Sequence, residues 1–257
     1  MHENFTYSEY SHLLQVLQSG RENLRFSDFS ARDNIFKSSS DYFILRHDID
    51  FSLEAALAMA QMEAKIGIRA SYFLLLSCDH YNLLSEEFCE FPRKLISLGH
   101  EVGLHYDVRA MGARGSDMND ELQFETHVLT RLAGESVRSI AMHNPSVYGD
   151  DPFATTQLFV NAYAREFTKE IAYYSDSCGA WRNETHKAFT ERRLPKKLQL
   201  LIHPIFWSDE SGNRWLRLND WADGCFNRIT EQKHWVKREW QEHSGVREHD
   251  ERLRHST

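Results

Sequence analysis

Six short, β-rich apolar runs recur along the chain with helical patterns between them, and this alternation restricts the fold more than any other property. The runs are "DYFILRHD", "RASYFLLLS", "HEVGLHYD", interrupted by Gly103, then "VRSIAMH", "EIAYYSD" and "KLQLLIHPIFW". Between them lie helical patterns over 52–67, 82–98, 118–133 and 153–163, and "SEYSHLLQVLQSG" precedes them all as a short helix ended by Gly20. In 52–67, Ser52 is placed to cap, Glu54 lies in the first turn, Gly67 supplies the stop, and Leu53, Ala56, Leu57, Ala60 and Ala64 share one face. A polar loop with Gly112 and Gly115 is predicted before the third of these helices. Strands that are apolar on both faces and separated by helices belong in a parallel sheet covered on both sides. Repetition at this spacing predicts one α/β domain over 1–257, with a barrel-like core over about 40–207. The Trp-rich, charged segment 208–257 reads as a helical C-terminal extension with a frayed tail, "REHDERLRHST".

Charge narrows the partners. Lys and Arg number 30 against 38 Asp and Glu, a net charge of −8, which argues against a protein that tracks nucleic-acid phosphates. No stretch approaches the ~18 apolar residues of a membrane span. The start "MHENFTYSEY" has neither a basic nor an apolar leader region, so a cytoplasmic location is expected. Cys78, Cys89, Cys178 and Cys225 are scattered without metal or disulfide spacing and read as reduced thiols.

Active sites of parallel α/β proteins gather at the C-terminal ends of the strands. The first run ends in Arg46, His47, Asp48 and Asp50, the third in His105 and Asp107, the fourth in His143, the fifth in Asp176 and the last in His203. Taken singly, each has a structural reading: a strand-end histidine is commonly just hydrogen-bonded, and Asp50 could cap the helix that follows. Their joint occurrence points instead to a divalent metal with nitrogen and oxygen ligands beside an acid/base pair. Asp48 and Asp50 would repel one another if both were ionised, and a cation bound at Asp50 removes that conflict.

These pieces resemble the motifs of the polysaccharide deacetylases of carbohydrate esterase family 4, the NodB homology domain. "LRHDID" is similar to the first motif in its Asp-x-Asp variant and "GHEVGLHY" to the second. "MHNPS" stands at the third, while "YSDSCGAW" and "LLIHPIFW" are similar to the fourth and fifth. The resemblance spans residues 43–207 and implies a distorted (β/α) barrel. It also implies a metal-dependent hydrolase that removes an N-acetyl group from a sugar or a surface-glycan precursor.

The implied roles follow residue by residue. Asp48 resembles the base, Asp50 and His105 metal ligands, His203 the acid and Asp176 the group that orients it, with Zn²⁺ the expected ion. Two positions depart from the pattern. Arg109 stands four residues after His105, where a second metal histidine belongs, and His143 stands where the third motif carries an arginine that tethers the base. His143 is therefore the expected third ligand, with Asp107 or water as alternatives, and His100 is discounted because it faces the other side of its strand. The expected partner is an N-acetylated sugar or glycan precursor, nucleotide-linked or lipid-linked, with neither nucleic acid nor a membrane span. A NodB-like binding or scaffold protein that lost its metal site at Arg109, and an O-acetyl esterase, are the competing readings.

Overall fold

The computed structural model describes residues 5–30, 39–182 and 184–244. Its eight strands are β1 (Glu22–Leu24), β2 (Tyr42–Ile49), β3 (Ser71–Leu75), β4 (Glu101–Tyr106), β5 (Ser139–Met142), β6 (Val160–Asn161), β7 (Ala172–Ser175) and β8 (Lys197–Ile202). The helices are α1 (Tyr7–Gln18), α2 (Phe26–Ser30), α3 (Leu53–Lys65), α4 (Phe91–Ser97), α5 (Val108–Arg114), α6 (Met118–Ala133), α7 (Pro145–Tyr148), α8 (Thr185–Thr190) and α9 (Arg214–Ser244). The strands pair in the order β6-β5-β4-β3-β2-β8-β7, every pairing parallel, and β1 runs beside the first half of β2.

The sheet curls into a distorted (β/α) barrel. Its end strands β6 and β7 do not pair among the described residues. The segment between them, which includes a π-helical turn at Glu166–Glu170, closes the gap instead. The Gln199 side chain, inside the barrel on β8, donates to the Phe167 carbonyl at 2.9 Å across that gap.

Register stacks the interior in layers. At the bottom, Ser71 and Ser139 each donate at 2.6 Å to the buried Glu101 carboxylate. Above them Phe73 pairs in register with Gly103, where a Cβ would stand 2.5 Å from the Phe73 ring. Gly103 interrupts the apolar run because the barrel has room for one of these two side chains. Phe73 packs there with Ile44, Tyr42, Phe26 and Phe167. In the same register Asp48 of β2 stands opposite Phe73, and His105 of β4 lies two positions beyond Gly103.

Several expected boundaries move. Of the helix predicted over 82–98 only α4 forms, beginning at Phe91 with Pro92 in its first turn. Asn82 and Ser85 bond the local backbone before it and hold that stretch in turns. The helix predicted over 153–163 is a turn region leading into β6, because Asp151 and Asn161 claim the backbone N–H groups of Phe153 and Tyr163. The predicted Gly112 loop is helix α5, capped by Asp107 and stopped by Gly115 in the left-handed region at φ 76°. The last run ends its strand at Ile202, and Pro204 opens a short 3₁₀ turn.

The chain divides into two compact units, Met1–Arg214 and Trp215–Thr257. The second consists, in its described part, of helix α9, while "REHDERLRHST" lies outside the described residues. No helix among the described residues is long and apolar enough to cross a membrane.

Candidate active site

A strand alternates its side chains between two faces, so Arg46 and Asp48 share the inner face of β2 while His47 faces outward. Arg46 is fully buried and grips Asp48 with both ends of its fork, Nε to Oδ1 at 2.8 Å and Nη2 to Oδ2 at 2.7 Å. Its remaining arm donates to Gln199 Oε1 at 3.3 Å, and its guanidinium lies 4.3 Å from the centre of the Tyr163 ring. Burial alone would push the Asp48 carboxyl up, but this guanidinium outweighs it and holds the group below its usual range. Asp48 is thus kept ionised in a dry place with its geometry fixed.

The strand ends at Ile49, and Asp50 leaves it facing two histidines from neighbouring strands. Asp50 Oδ1 lies 3.2 Å from His105 Nε2 and 3.3 Å from His143 Nδ1, and those two nitrogens are 3.1 Å apart. His105 lies opposite Ala141 in the register of β4 and β5, and its Nδ1 donates to the Ala141 carbonyl at 2.9 Å. That bond leaves the Nε2 lone pair facing Asp50. His143 comes from the end of β5, where its Nε2 meets the Asn144 side chain at 2.8 Å.

Asp50 Oδ1 is buried and has no hydrogen-bond partner among the described residues. A buried carboxylate oxygen left so, with two imidazole nitrogens converging on it, is a donor set suited to a divalent cation. Asp50, His105 and His143 are therefore the residues that could hold a metal.

Across the cavity stands His203, at the end of β8. Its Nδ1 and backbone N–H both donate to Asp176, at 2.7 and 3.0 Å, and Trp207 Nε1 donates to the same carboxylate at 2.8 Å. This leaves His203 Nε2 on the cavity side, 4.0 Å from Asp50 Oδ2. Burial disfavours its charge, but Asp176, then Asp50 and Asp48, outweigh burial and raise its pKa to about 9. Asp48, Asp50, His105, His143 and His203 line one cavity of about 740 Å³.

The remaining candidates take no part in the Asp50, His105 and His143 group. Asp107 caps α5 and pairs with Arg109 at 3.0 Å, which leaves it committed away from the three-residue group. His100 accepts from the Ala70 N–H at 3.1 Å and donates to the Ala60 carbonyl at 2.9 Å, outside the barrel. Cys178 is exposed and lines the cavity, and the other three thiols are half-buried and free. Sequence reading missed the work of Arg46, although the signal was present: Arg-x-Asp on a strand puts both groups on one face.

The sequence matches no protein-family profile and no curated protein. Among solved structures, the chain resembles polysaccharide deacetylases. It is similar to the polysaccharide deacetylase Bc1974 from Bacillus cereus at 14% identity and TM-score 0.40, covering 64% of this chain and 79% of that one. It is similar to the peptidoglycan deacetylase PdaC from Bacillus subtilis at 15% identity and TM-score 0.42, covering 79% and 96%. A third is BA3943, a family 4 carbohydrate esterase pseudoenzyme from Bacillus anthracis, at 14% identity and TM-score 0.41. That match covers 76% of this chain and 62% of BA3943, so the chain spans less than two thirds of that relative. The roles of the site residues rest on the geometry above.

Proposed function

We propose that this protein is a metal-dependent hydrolase that removes an N-acetyl group from an amino sugar of a glycan or glycan precursor. The observation that carries the reading is one convergence. Asp50, His105 and His143 face a common point beside an Asp48 kept ionised by Arg46 and a His203 kept protonated by Asp176. A divalent cation there, with zinc the best fit to two imidazoles and a carboxylate, would supply a Lewis acid that polarises the acyl carbonyl and acidifies water.

The protein's own groups handle the protons. Asp48 Oδ2 lies 3.7 Å from His105 Nε2, close enough to the ligand group to take a proton from an attacking water. Arg46 keeps that carboxylate ionised and fixes its direction. His203 Nε2 carries a proton into the cavity, while Asp176 holds the ring by its other nitrogen. An amine cannot leave as an anion at neutral pH, so a protonated imidazole suits an amide substrate. The departure at Arg109 is offset by His143, whose nitrogen faces the same oxygen from the next strand, and this favours an enzyme over a binding relative.

Two measurements test the reading together. Purified protein should hold a divalent metal by elemental analysis and release acetate from N-acetylglucosamine oligomers, with His105→Ala losing the metal and Asp48→Asn losing the acetate release. Full metal content in His105→Ala together with undiminished acetate release in Asp48→Asn would end it.

A further inference from the structure

Arg109 occupies the position where a second metal histidine was expected, and its guanidinium has other neighbours. Nη2 donates to Asp107 Oδ2 at 3.0 Å, the backbone N–H donates to Asp107 Oδ1 at 2.8 Å, and the guanidinium lies 4.4 Å from the centre of the Tyr148 ring. An arginine side chain 63% exposed is ordinarily left to sample many rotamers. This one is held from two sides, by a carboxylate and by an aromatic face, at the wall of the cavity. Its Nε and Nη1 have no partner among the described residues, so one edge of the fork is presented in a fixed direction.

A second arginine reaches the same cavity from the opposite part of the sheet. Arg182 follows β7, which is separated from β4 by β8, β2 and β3, and its Nε is fixed on the Ser177 carbonyl at 3.1 Å. The acidic groups of the wall are largely committed. Asp48 is spent on Arg46, Asp50 faces the two histidines, Asp107 bonds Arg109, and Asp79 remains. Two guanidinium groups, each with a hydrogen-bonded anchor, thus line the cavity of the candidate active site.

We infer that the substrate is anionic: its N-acylated sugar bears an oxyanion, phosphate or carboxylate, and Arg109 binds that group. The inference rests on the proposed hydrolase reading, with the amide at Asp50, His105 and His143. A planar fork held in advance recognises such oxyanions by paired charge-assisted hydrogen bonds, and Tyr148 keeps the ordering cost low.

The metal-loaded protein can be offered N-acetylglucosamine, N-acetylglucosamine 1-phosphate and N-acetylmuramic acid, with acetate release as kcat/KM. One anionic sugar should exceed the neutral one by about tenfold or more, the value of a charged hydrogen bond. Which of the two wins separates phosphate from carboxylate. In Arg109→Gln the ratio should fall towards one, and Arg109→Lys should restore part of it. Equal rates on all three sugars, or a preference that survives in Arg109→Gln, overturn the inference.

Binding gives an independent readout. Calorimetric titration of N-acetylglucosamine 1-phosphate and N-acetylmuramic acid into metal-loaded Asp48→Asn should show affinity for the preferred sugar about tenfold weaker when Arg109→Gln is added. Acetate release without an anion preference leaves the hydrolase and removes the oxyanion site. Arg109-dependent binding with no acetate release from any sugar does the reverse, and absence of both removes the two together.

Discussion

Arg46 and Asp48 point from β2 into the barrel and Asp50, just past its end, faces the same cavity, whereas His47, between the first two in sequence, points outward and meets α3. There Glu63 is fully buried, with Oε1 2.8 Å from His47 Nε2 and with Tyr72 and Tyr10 donating their hydroxyls to it. His100 Nδ1 stands 3.7 Å away, and both tyrosine hydroxyls are held protonated by burial and by this carboxylate. Each Glu63 oxygen has a donor, and packed helix and strand surround the group. On the inner face the comparable oxygen, Asp50 Oδ1, has no donor and stands beside a cavity of about 740 Å³. One strand therefore carries two buried carboxylate clusters of different kinds. Saturated and sealed, a carboxylate holds elements together; unsaturated beside a cavity, it is available to a ligand.

The sharpest way to break this contrast is to remove a group from each face. Asp48→Asn, on the inner face, should lower kcat/KM for acetate release by about 10²-fold to 10⁴-fold while metal content stays near wild type. Glu63→Ala, on the outer face, should cost about 3–5 kcal/mol in urea unfolding because it strands buried partners. Its folded fraction should keep its metal. A Glu63→Ala protein that is equally stable but metal-free would mean that the two faces work as one site.

His143→Ala tests the inner face further, with metal affinity expected to fall by about tenfold or more on competition against a chelator. Asp176→Asn should act through pH. His203 has its pKa raised from 6.5 to about 9, so the stability it contributes is full below 6.5 and lost as pH rises through about 9. Acid catalysis needs the same proton, so the alkaline limb of the rate profile should lie above 6.5. A cation on Asp50 cancels part of the shift, and the share from Asp176 remains. Asp176→Asn should move the limb down, and an unmoved limb would take His203 out of the acid role. The smallest effect should come from Ser52→Ala, which removes the cap of α3, where Ser52 Oγ accepts from the Ala55 N–H at 3.1 Å. It should cost about 1 kcal/mol with no change in metal content.

Legibility in the sequence tracked the range of the forces involved. The boundaries of α3 and α6 followed from local capping and period, since Ser52 and Gly134 act within a turn of their own helices. The helices predicted over 82–98 and 153–163 failed where side chains captured the backbone: Asn82 and Ser85 did so in the first, and Asp151, just before the second, and Asn161, within it, did so there. Period alone carries no record of that competition. The acid/base pair was readable as residue types at strand ends, but Arg46 was read as one more polar residue because its partner depends on which face lies inward.

By itself, the sequence determined the alternation of strand and helix, the parallel sheet, and the set of carboxylates and imidazoles delivered to strand ends. Those follow from periodicity and residue chemistry, which act over a few positions. Only the tertiary structure decided that Arg46 closes on Asp48, that His143 faces His105 across 38 residues, that Asp176 orients His203 across 27, and that Arg109 turns to Asp107 and Tyr148. The physical reason is register. A strand's side chains alternate whatever surrounds it, but the level at which two strands pair, and the curl of the sheet that joins them, fix which of those side chains meet.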